Sequence, residues 1–270
     1  MDKKIGFIGC GKMGQAILGG LIDAKAADPG QITVSTANEA TLLMLKEKFK
    51  VGVSLDNKEI AAGSDVLFLA VQPSLHEQII GEIKEVIQDH AVIITIAAGI
   101  TLDMAGRFFG KKVKIVRTMP NTPSLVGEGM TAMCINGEVS KTDLEYVQVL
   151  LNSFGKTELV DESLMDSIPA ISGSSPAFVY MFIEAMADGG VRDGIPRKQA
   201  YKLAAQAVLG AAKMVLDTDK HPGALKDDVC TPGGSTIQAV AALEEKGFRS
   251  AVLEAMKVCT EKSKSYSNNC

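Results

Sequence analysis

The chain has 270 residues, 46% hydrophobic and 22% charged, with 28 Lys and Arg against 32 Asp and Glu and a formal net charge of −4. Such a composition suits a globular protein able to bury a sizeable core in one large or two modest domains, and without a basic stretch or interleaved aromatics it excludes a nucleic-acid surface. The longest purely apolar strand, Val66 to Val71, is far short of a membrane span and the start carries no long apolar signal region, so a cytoplasmic protein with no membrane partner is expected.

The chain opens on an apolar strand, residues 4–8, that runs straight into Gly9, Cys10, Gly11, Lys12, Met13 and Gly14, with a helix expected over 12–24. This is a GxGxxG turn between a strand and a helix. Gly9 can take the tight bend, Gly11 has no Cβ to block a pyrophosphate, and Gly14 lets the helix pack closely on the strand. The unpaired N–H groups of the helix start then face the phosphates. A plain strand-to-helix turn is the alternative, and the order of strand, glycines and helix favours a dinucleotide site over it.

Strand and helix patterns continue to alternate: strand 32–35, helix 38–49, a short strand 51–53, and a buried strand 65–71. Leu75, Ile79, Ile83, Val86 and Ile87 mark one face of the next helix, followed by strands over 91–97, 112–117 and 130–135. Ser140 begins a further helix with Asp143 three residues on, a capping-box spacing. Alternating β and α units with buried, β-branched strands imply an α/β domain whose mainly parallel, doubly wound sheet is covered on both faces.

Around residue 162 the texture changes and long helices take over. Domains 1–162 and 163–270 are therefore expected, the second all-α. Pro176 suits the first turn of one helix, and Pro196 opens the next after a break at Gly189, Gly190 and Gly194. Ala177 to Ala187 and Leu203 to Val215 are apolar around most of their circumference, and a helix of that kind must be buried on all sides. A segment this small cannot hide two such helices alone, which predicts interlocking with a second copy of the chain. The polar end, 262–270, is expected to fray.

The strand ends carry the candidate binding residues, because ligands in open α/β sheets gather at the carboxyl ends of strands. The end of the second strand has no acidic residue to take a ribose hydroxyl; instead Ser35, Thr36 and Asn38 stand there. Their side chains can donate to a 2′-phosphate, which favours NADP or tolerance of both NADP and NAD, although each is also an ordinary turn former. Asn57, the segment Ala70, Val71, Gln72 and Pro73, the segment Ala97, Ala98 and Gly99, and the run from Thr118 to Pro123 occupy corresponding loops. Far along the chain, Thr231 to Thr236 forms a second glycine turn at a helix start, where Gly233, Gly234, Ser235 and Thr236 offer consecutive N–H groups and hydroxyls to a small anion such as a carboxylate. Helix capping by Ser235 or Thr236 explains the same spacing equally well, and capping is the stronger reading of Ser172 to Pro176.

Metal and nucleophile chemistry find no pattern. Cys10, Cys134, Cys230, Cys259 and Cys270 form no CxxC pair and are expected to be reduced packing residues. His76, His90 and His221 lie in polar or loop-like contexts, and neither HExxH nor GxSxG occurs. Hydride transfer from a nicotinamide needs none of these, since the cofactor supplies the chemistry and the protein supplies position and water exclusion.

Taken together, Ile5 to Gly14, Asp65 to Val71, Ala97 to Gly99, Arg117 to Pro123, Ser172 to Ser174, Glu184 to Pro196, Ala205 to Met214, His221 to Thr236 and Gly247 to Arg249 resemble the pyrroline-5-carboxylate reductase family over essentially the whole chain. The resemblance implies an N-terminal Rossmann domain and a helical domain that builds an intertwined dimer, in many members assembled further into decamers. It also implies reduction of the cyclic imino acid 1-pyrroline-5-carboxylate to L-proline with NADPH or NADH. By position, Gly9 to Gly14, Ser35, Asn57, Ala70 to Pro73 and Ala97 to Gly99 would contact the cofactor. Gly233 to Thr236 would hold the substrate carboxylate, with Thr236 beside the imine nitrogen as an orienting group. The family commonly has lysine at Gln72 and glycine at Ser175. Two other readings compete: a related imine or 3-hydroxyacid reductase with Lys198 or Lys202 as its acid, and a dinucleotide-sensing protein without catalysis.

Overall fold

A computed structural model describes residues 3–267. Eight strands form one sheet: β1 (Ile5–Ile8), β2 (Ile32–Ser35), β3 (Gly52–Ser54), β4 (Val66–Leu69), β5 (Val92–Thr95), β6 (Lys114–Met119), β7 (Gly129–Ile135) and β8 (Gly155–Leu159). Their order across the sheet is β3-β2-β1-β4-β5-β6-β7-β8, and every neighbouring pair is parallel except β6 with β7.

Helices α1 (Lys12–Asp23), α2 (Glu39–Phe49), α3 (Asn57–Ala62), α4 (His76–Ile83), α5 (Leu102–Phe109) and α6 (Lys141–Leu151) connect the strands. Alternate residues of the central strands feed opposite cores, as a period of two requires. Ile5, Phe7, Val66, Phe68, Val92 and Ile94 pack with Ile17, Leu21, Leu45, Val147 and Phe154 on one side. Ile8, Leu67, Leu69 and Ile93 pack with Ile60, Ile80, Ile83, Met104 and Phe109 on the other. At the centre the rings of Phe7 and Phe68 stack with centroids 4.6 Å apart, on adjacent strands β1 and β4. The mainly parallel, doubly covered sheet is thus as expected.

Three short elements, α3, α5 and β8, went unpredicted. β8 is a largely polar edge strand beginning at Gly155, where an added Cβ would fall 1.9 Å from the Gly129 carbonyl oxygen; only two glycines let these strands start side by side. The face expected for α4 is met at Ile79, Ile83, Val86 and Ile87, which pack into the core, but not at Leu75. The first turn of α4 is taken by a 3-10 segment, Pro73–Leu75, so the helix begins at His76 and buries His76, Ile80 and Ile83, while Leu75 is exposed. His76 is therefore a core residue rather than a loop residue.

The chain divides into two compact units, the first running through Gly173 and taking up the chain again from Cys259, the second covering Ser174–Val258. Residues 163–173 pack with the sheet because Arg117 of β6, almost wholly buried, pairs with Glu162 at 3.2 Å and Asp166 at 2.9 Å. Within the second unit are α7 (Ser175–Arg192), α8 (Arg197–Thr218), α9 (Pro222–Val229) and α10 (Ser235–Glu245), and α11 (Phe248–Ser267) starts there. Pro176 and Pro196 stand at the starts of α7 and α8 as expected. Gly189 and Gly190, expected to break the helix, lie inside α7; only Gly194, at φ +94°, reverses the chain. At Gly190 a Cβ would make ordinary contact with Ala200 and Ile195 at 3.5 Å, so this position faces the α7–α8 hairpin without requiring glycine. The expected fraying from 262 does not hold up to Ser267, which is helical, and residues 268–270, Cys270 among them, lie outside the described residues.

Candidate active site

The strand order reverses direction between β1 and β4, and the carboxyl ends of β1, β2, β4 and β5 stand side by side there. This is where an open α/β sheet takes its ligand. The expected cofactor residues in this unit all sit in that row: Gly9 to Gly14 between β1 and α1, Ser35 and Thr36 at the end of β2, Asn57 at the start of α3, Ala70 to Pro73 after β4, and Ala97 to Gly99 after β5.

The glycine turn has the shape a pyrophosphate needs. Gly9 adopts φ +77°, and a Cβ there would meet the Ala70 carbonyl oxygen at 2.7 Å. Its N–H donates to the Ser35 carbonyl at 2.9 Å, while Ala70 N–H donates to Ile8 at 2.9 Å, so three strand ends are tied at one point. A Cβ on Gly14 would sit 3.3 Å from Ala70 Cβ, whereas one on Gly11 would find nothing within 4 Å. Gly11 caps α1 with no side chain over the helix start. The open space above Gly11 and the uncapped N–H groups beneath it fit a dinucleotide phosphate. Cys10 in this turn is 4% exposed, and burial pushes its thiol up to about 12, so it stays protonated and acts as a packing residue.

At the end of β2 the Ser35 side chain turns inward, while Asn38 stays exposed. The wholly buried Ser35 hydroxyl donates to Asn57 Oδ1 at 2.7 Å, and Asn57 Nδ2 donates to Glu82 Oε2 at 3.1 Å. Thr36 Oγ1 donates to the Asn38 carbonyl, and Asn38 Oδ1 caps α2 by accepting from Thr41 N–H. Ser35 thereby fixes Asn57 from below, and Thr36 and Asn38 serve locally as turn and cap formers.

Two further residues organise the rest of this row: His76, which sequence reasoning passed over, and Asn121, which it named only as part of the Thr118 to Pro123 run. His76 bridges the loops after β4 and β5, with Nδ1 3.2 Å from the Gln72 carbonyl oxygen and Nε2 3.0 Å from Thr95 Oγ1. Burial holds its imidazole below the ordinary value, against the opposing pull of the Gln72 carbonyl. Its signal in the sequence is its spacing, four and seven residues before Ile80 and Ile83. Asn121, in the run after β6, donates from Nδ2 to the Ser172 carbonyl at 2.9 Å and accepts from Met130 N–H at 2.8 Å, which pins that loop. Within the first unit, a Cβ on Gly99, which adopts φ +82°, would lie 3.3 Å from Tyr266 Cβ.

The second glycine turn belongs to the helical unit. Gly233 is at φ +70° with nothing within 4 Å of an added Cβ, and Gly234 N–H donates to the Thr231 carbonyl at 3.0 Å. Gly234 is the N-cap of α10 and makes no side-chain capping bond, with Ser235 and Thr236 as the first helical residues. Capping by either hydroxyl is thus not used, and the helix start remains open to an anion. Lys198 and Lys202 are exposed on α8. No group of His, Cys, Asp and Glu among the described residues could hold a metal ion.

Two parts of the chain match known families. Residues 4–99 match the family "NADP oxidoreductase coenzyme F420-dependent", and residues 162–266 match "Pyrroline-5-carboxylate reductase dimerisation". A pyrroline-5-carboxylate reductase of Coxiella burnetii superposes with a TM-score of 0.92 at 33% identity, covering 99% of each chain. A Plasmodium falciparum pyrroline carboxylate reductase solved with NADP bound superposes with a TM-score of 0.88 at 33% identity, covering 98% of each. The pyrroline-5-carboxylate reductase of Methanosarcina acetivorans is 42% identical over 97% of both chains. With 50% identity to the Escherichia coli (strain K12) pyrroline-5-carboxylate reductase over 100% of both chains, the chain belongs to the pyrroline-5-carboxylate reductase family.

Proposed function

We propose that the protein reduces 1-pyrroline-5-carboxylate to L-proline, the last step of proline biosynthesis, using NADPH and also accepting NADH. The observation that carries this reading is the pair of glycine turns, each at an uncapped helix start, in a chain half identical to a reductase along its full length.

Bound NADPH supplies a hydride to the imine carbon. Gly9 to Gly14 and the start of α1 hold its pyrophosphate, Asn57 and Thr36 lie toward its adenosine end, and the Ala70 to Pro73 and Ala97 to Gly99 backbones flank its other half. Gly233, Gly234 and Ser235 hold the substrate carboxylate through backbone N–H groups and the Ser235 hydroxyl. Thr236 orients the ring by a hydrogen bond to the imine nitrogen, and solvent can supply the proton that nitrogen gains. Holding the two reactants in one geometry replaces a bimolecular encounter with an oriented one, which needs no acidic or nucleophilic side chain. Residues 1–162 serve as the dinucleotide-binding domain and 163–270 as the dimerisation and substrate domain. The working unit is a dimer that can assemble further into decamers in the cytoplasm, without a nucleic-acid or membrane partner.

The test is direct. NADPH absorbance should fall when pyrroline-5-carboxylate is added, and L-proline should appear in equal amount. Fast oxidation of NADPH by a 3-hydroxyacid precursor beside a poor rate with the cyclic imine would overturn the assignment, and binding of NADPH with no turnover of either would make the protein a sensor.

A further inference from the structure

The parallel ladder between β4 and β5 ends at the pair Leu69 and Thr95, followed by a long bond from Ile96 N–H to the Leu69 carbonyl at 3.5 Å. Beyond it the two loops that would flank the cofactor diverge, and their backbones are joined through one side chain, His76. The direction of each bond in that link follows from chemistry. The Gln72 carbonyl oxygen can only accept, so His76 Nδ1, 3.2 Å away, must carry the ring proton. A neutral ring then leaves Nε2 as an acceptor, and the Thr95 hydroxyl at 3.0 Å must donate to it. Thr95 Oγ1 in turn accepts from Ala97 N–H at 3.3 Å.

The result is one directed chain, from Ala97 N–H through the Thr95 hydroxyl and the imidazole to the Gln72 carbonyl. Both side chains are buried, at 0% exposure for His76 and 1% for Thr95, so water does not compete for the two bonds made by the Thr95 hydroxyl. Every polar atom of the two side chains is used.

From this geometry we infer that His76 is a positioning residue for the dinucleotide, fixing the Gln72 and Ala97 backbones relative to each other across the cofactor's path. The inference rests on the proposed reading of these loops as cofactor-binding. A residue of pure packing value would be replaceable by methionine, which fills a similar irregular volume without polar atoms. His76 is not replaceable in that way, because methionine leaves the buried Thr95 hydroxyl without an acceptor and cuts its link to the Gln72 carbonyl, which keeps only the Leu75 N–H at 3.0 Å.

The experiment compares NADPH binding, by titration calorimetry, among wild type, His76→Met, Thr95→Val and the double variant, with melting temperature and the KM for the cyclic imine measured in parallel. The NADPH dissociation constant should rise about tenfold in each single variant. The double variant should show about the same tenfold rather than a hundredfold loss, because both substitutions cut one chain of bonds. His76→Gln, whose amide oxygen can still accept from Thr95, should recover part of the loss. The KM for the imine should move less than threefold. Nitrogen NMR of the folded wild type should find Nδ1 protonated and Nε2 bare, a readout independent of cofactor and of the variants' folding. The opposite tautomer, wild-type NADPH affinity in His76→Met, or additive losses in the double variant would overturn the inference. Failure of the wild type itself to bind NADPH would remove the dinucleotide reading and this inference with it.

Discussion

In the sheet unit Phe7, Phe68 and Phe154 are wholly enclosed, whereas in the helical unit Met181, Leu203 and Leu216 are 69%, 61% and 78% exposed. The first unit closes two cores of its own on either side of β1, β4 and β5. The second buries only alanines, Ala187, Ala200 and Ala204, where α7 meets α8. Alanine lets two helices approach but removes little apolar area from water, and each large side chain left outside forgoes about 1.5–3 kcal/mol of burial. The sheet unit is therefore stable by its own packing, and the helical unit needs the partner copy that its family match names.

The largest expected effect is on that dependence. Met181→Glu places a charge where a dimer would bury the side chain, and sedimentation should show dissociation to monomers with loss of activity. Leu43→Glu, at a 57% exposed position of α2, should leave assembly and melting nearly unchanged. A dimer that survives Met181→Glu at full activity would break the contrast. Next in size is Phe68→Ala, which removes a ring stacked on Phe7 and should destabilise the sheet unit by about 3–5 kcal/mol. Its melting shift should be the same at every protein concentration, while that of Met181→Glu should depend on concentration.

The same contrast governs how much could be read from the sequence. Strands β1, β2, β4 and β5 and the glycine turn were legible because their burial on both faces forces continuous apolar runs bounded by glycine and proline. The apolar girth of α7 and α8 likewise announced a partner. β8 was not legible, since an edge strand with a polar face has no such run, and α3 was not, since six residues are too few for a helical period to stand out; α5, as long as α4, was simply not read. His76 was hidden for a different reason. Its polarity suggests a loop, and its role depends on Thr95, 19 residues away at the end of β5. The Ser35 hydroxyl was legible as a donor but not in its direction, because Asn57 comes to it only when α3 folds over β2.

Thr236→Ala sharpens the comparison at the site, since the proposal gives the sheet unit the cofactor and α10 the substrate. Removing one hydrogen bond to the imine nitrogen should lower kcat roughly tenfold. The NADPH dissociation constant should stay as in the wild type. A parallel loss of NADPH affinity would mean that Thr236 does not belong to a separate substrate site.

The smallest expected effect concerns charge. In the sheet unit Asp143, 7% exposed at the start of α6, accepts from Ser140 and pairs with Lys114 of β6 at 2.8 Å. Burial opposes its charge, but Lys114 and Ser140 outweigh that and hold its carboxyl below the ordinary value of 3.8. The helical unit's pairs, such as Arg249 with Glu244, are 69% and 48% exposed and screened by water and salt. Asp143→Asn should therefore lower the melting temperature at pH 7, and Glu244→Gln should not. Because folding depresses the Asp143 value, the unfolded chain binds the proton more readily, and stability from this carboxylate is complete above its unfolded value near pH 4. It is lost as the pH falls through the lower folded value, so the gap between wild type and Asp143→Asn should narrow below about pH 4. A gap that persists unchanged into stronger acid would mean that the substitution acts through the lost cap of α6 rather than through charge.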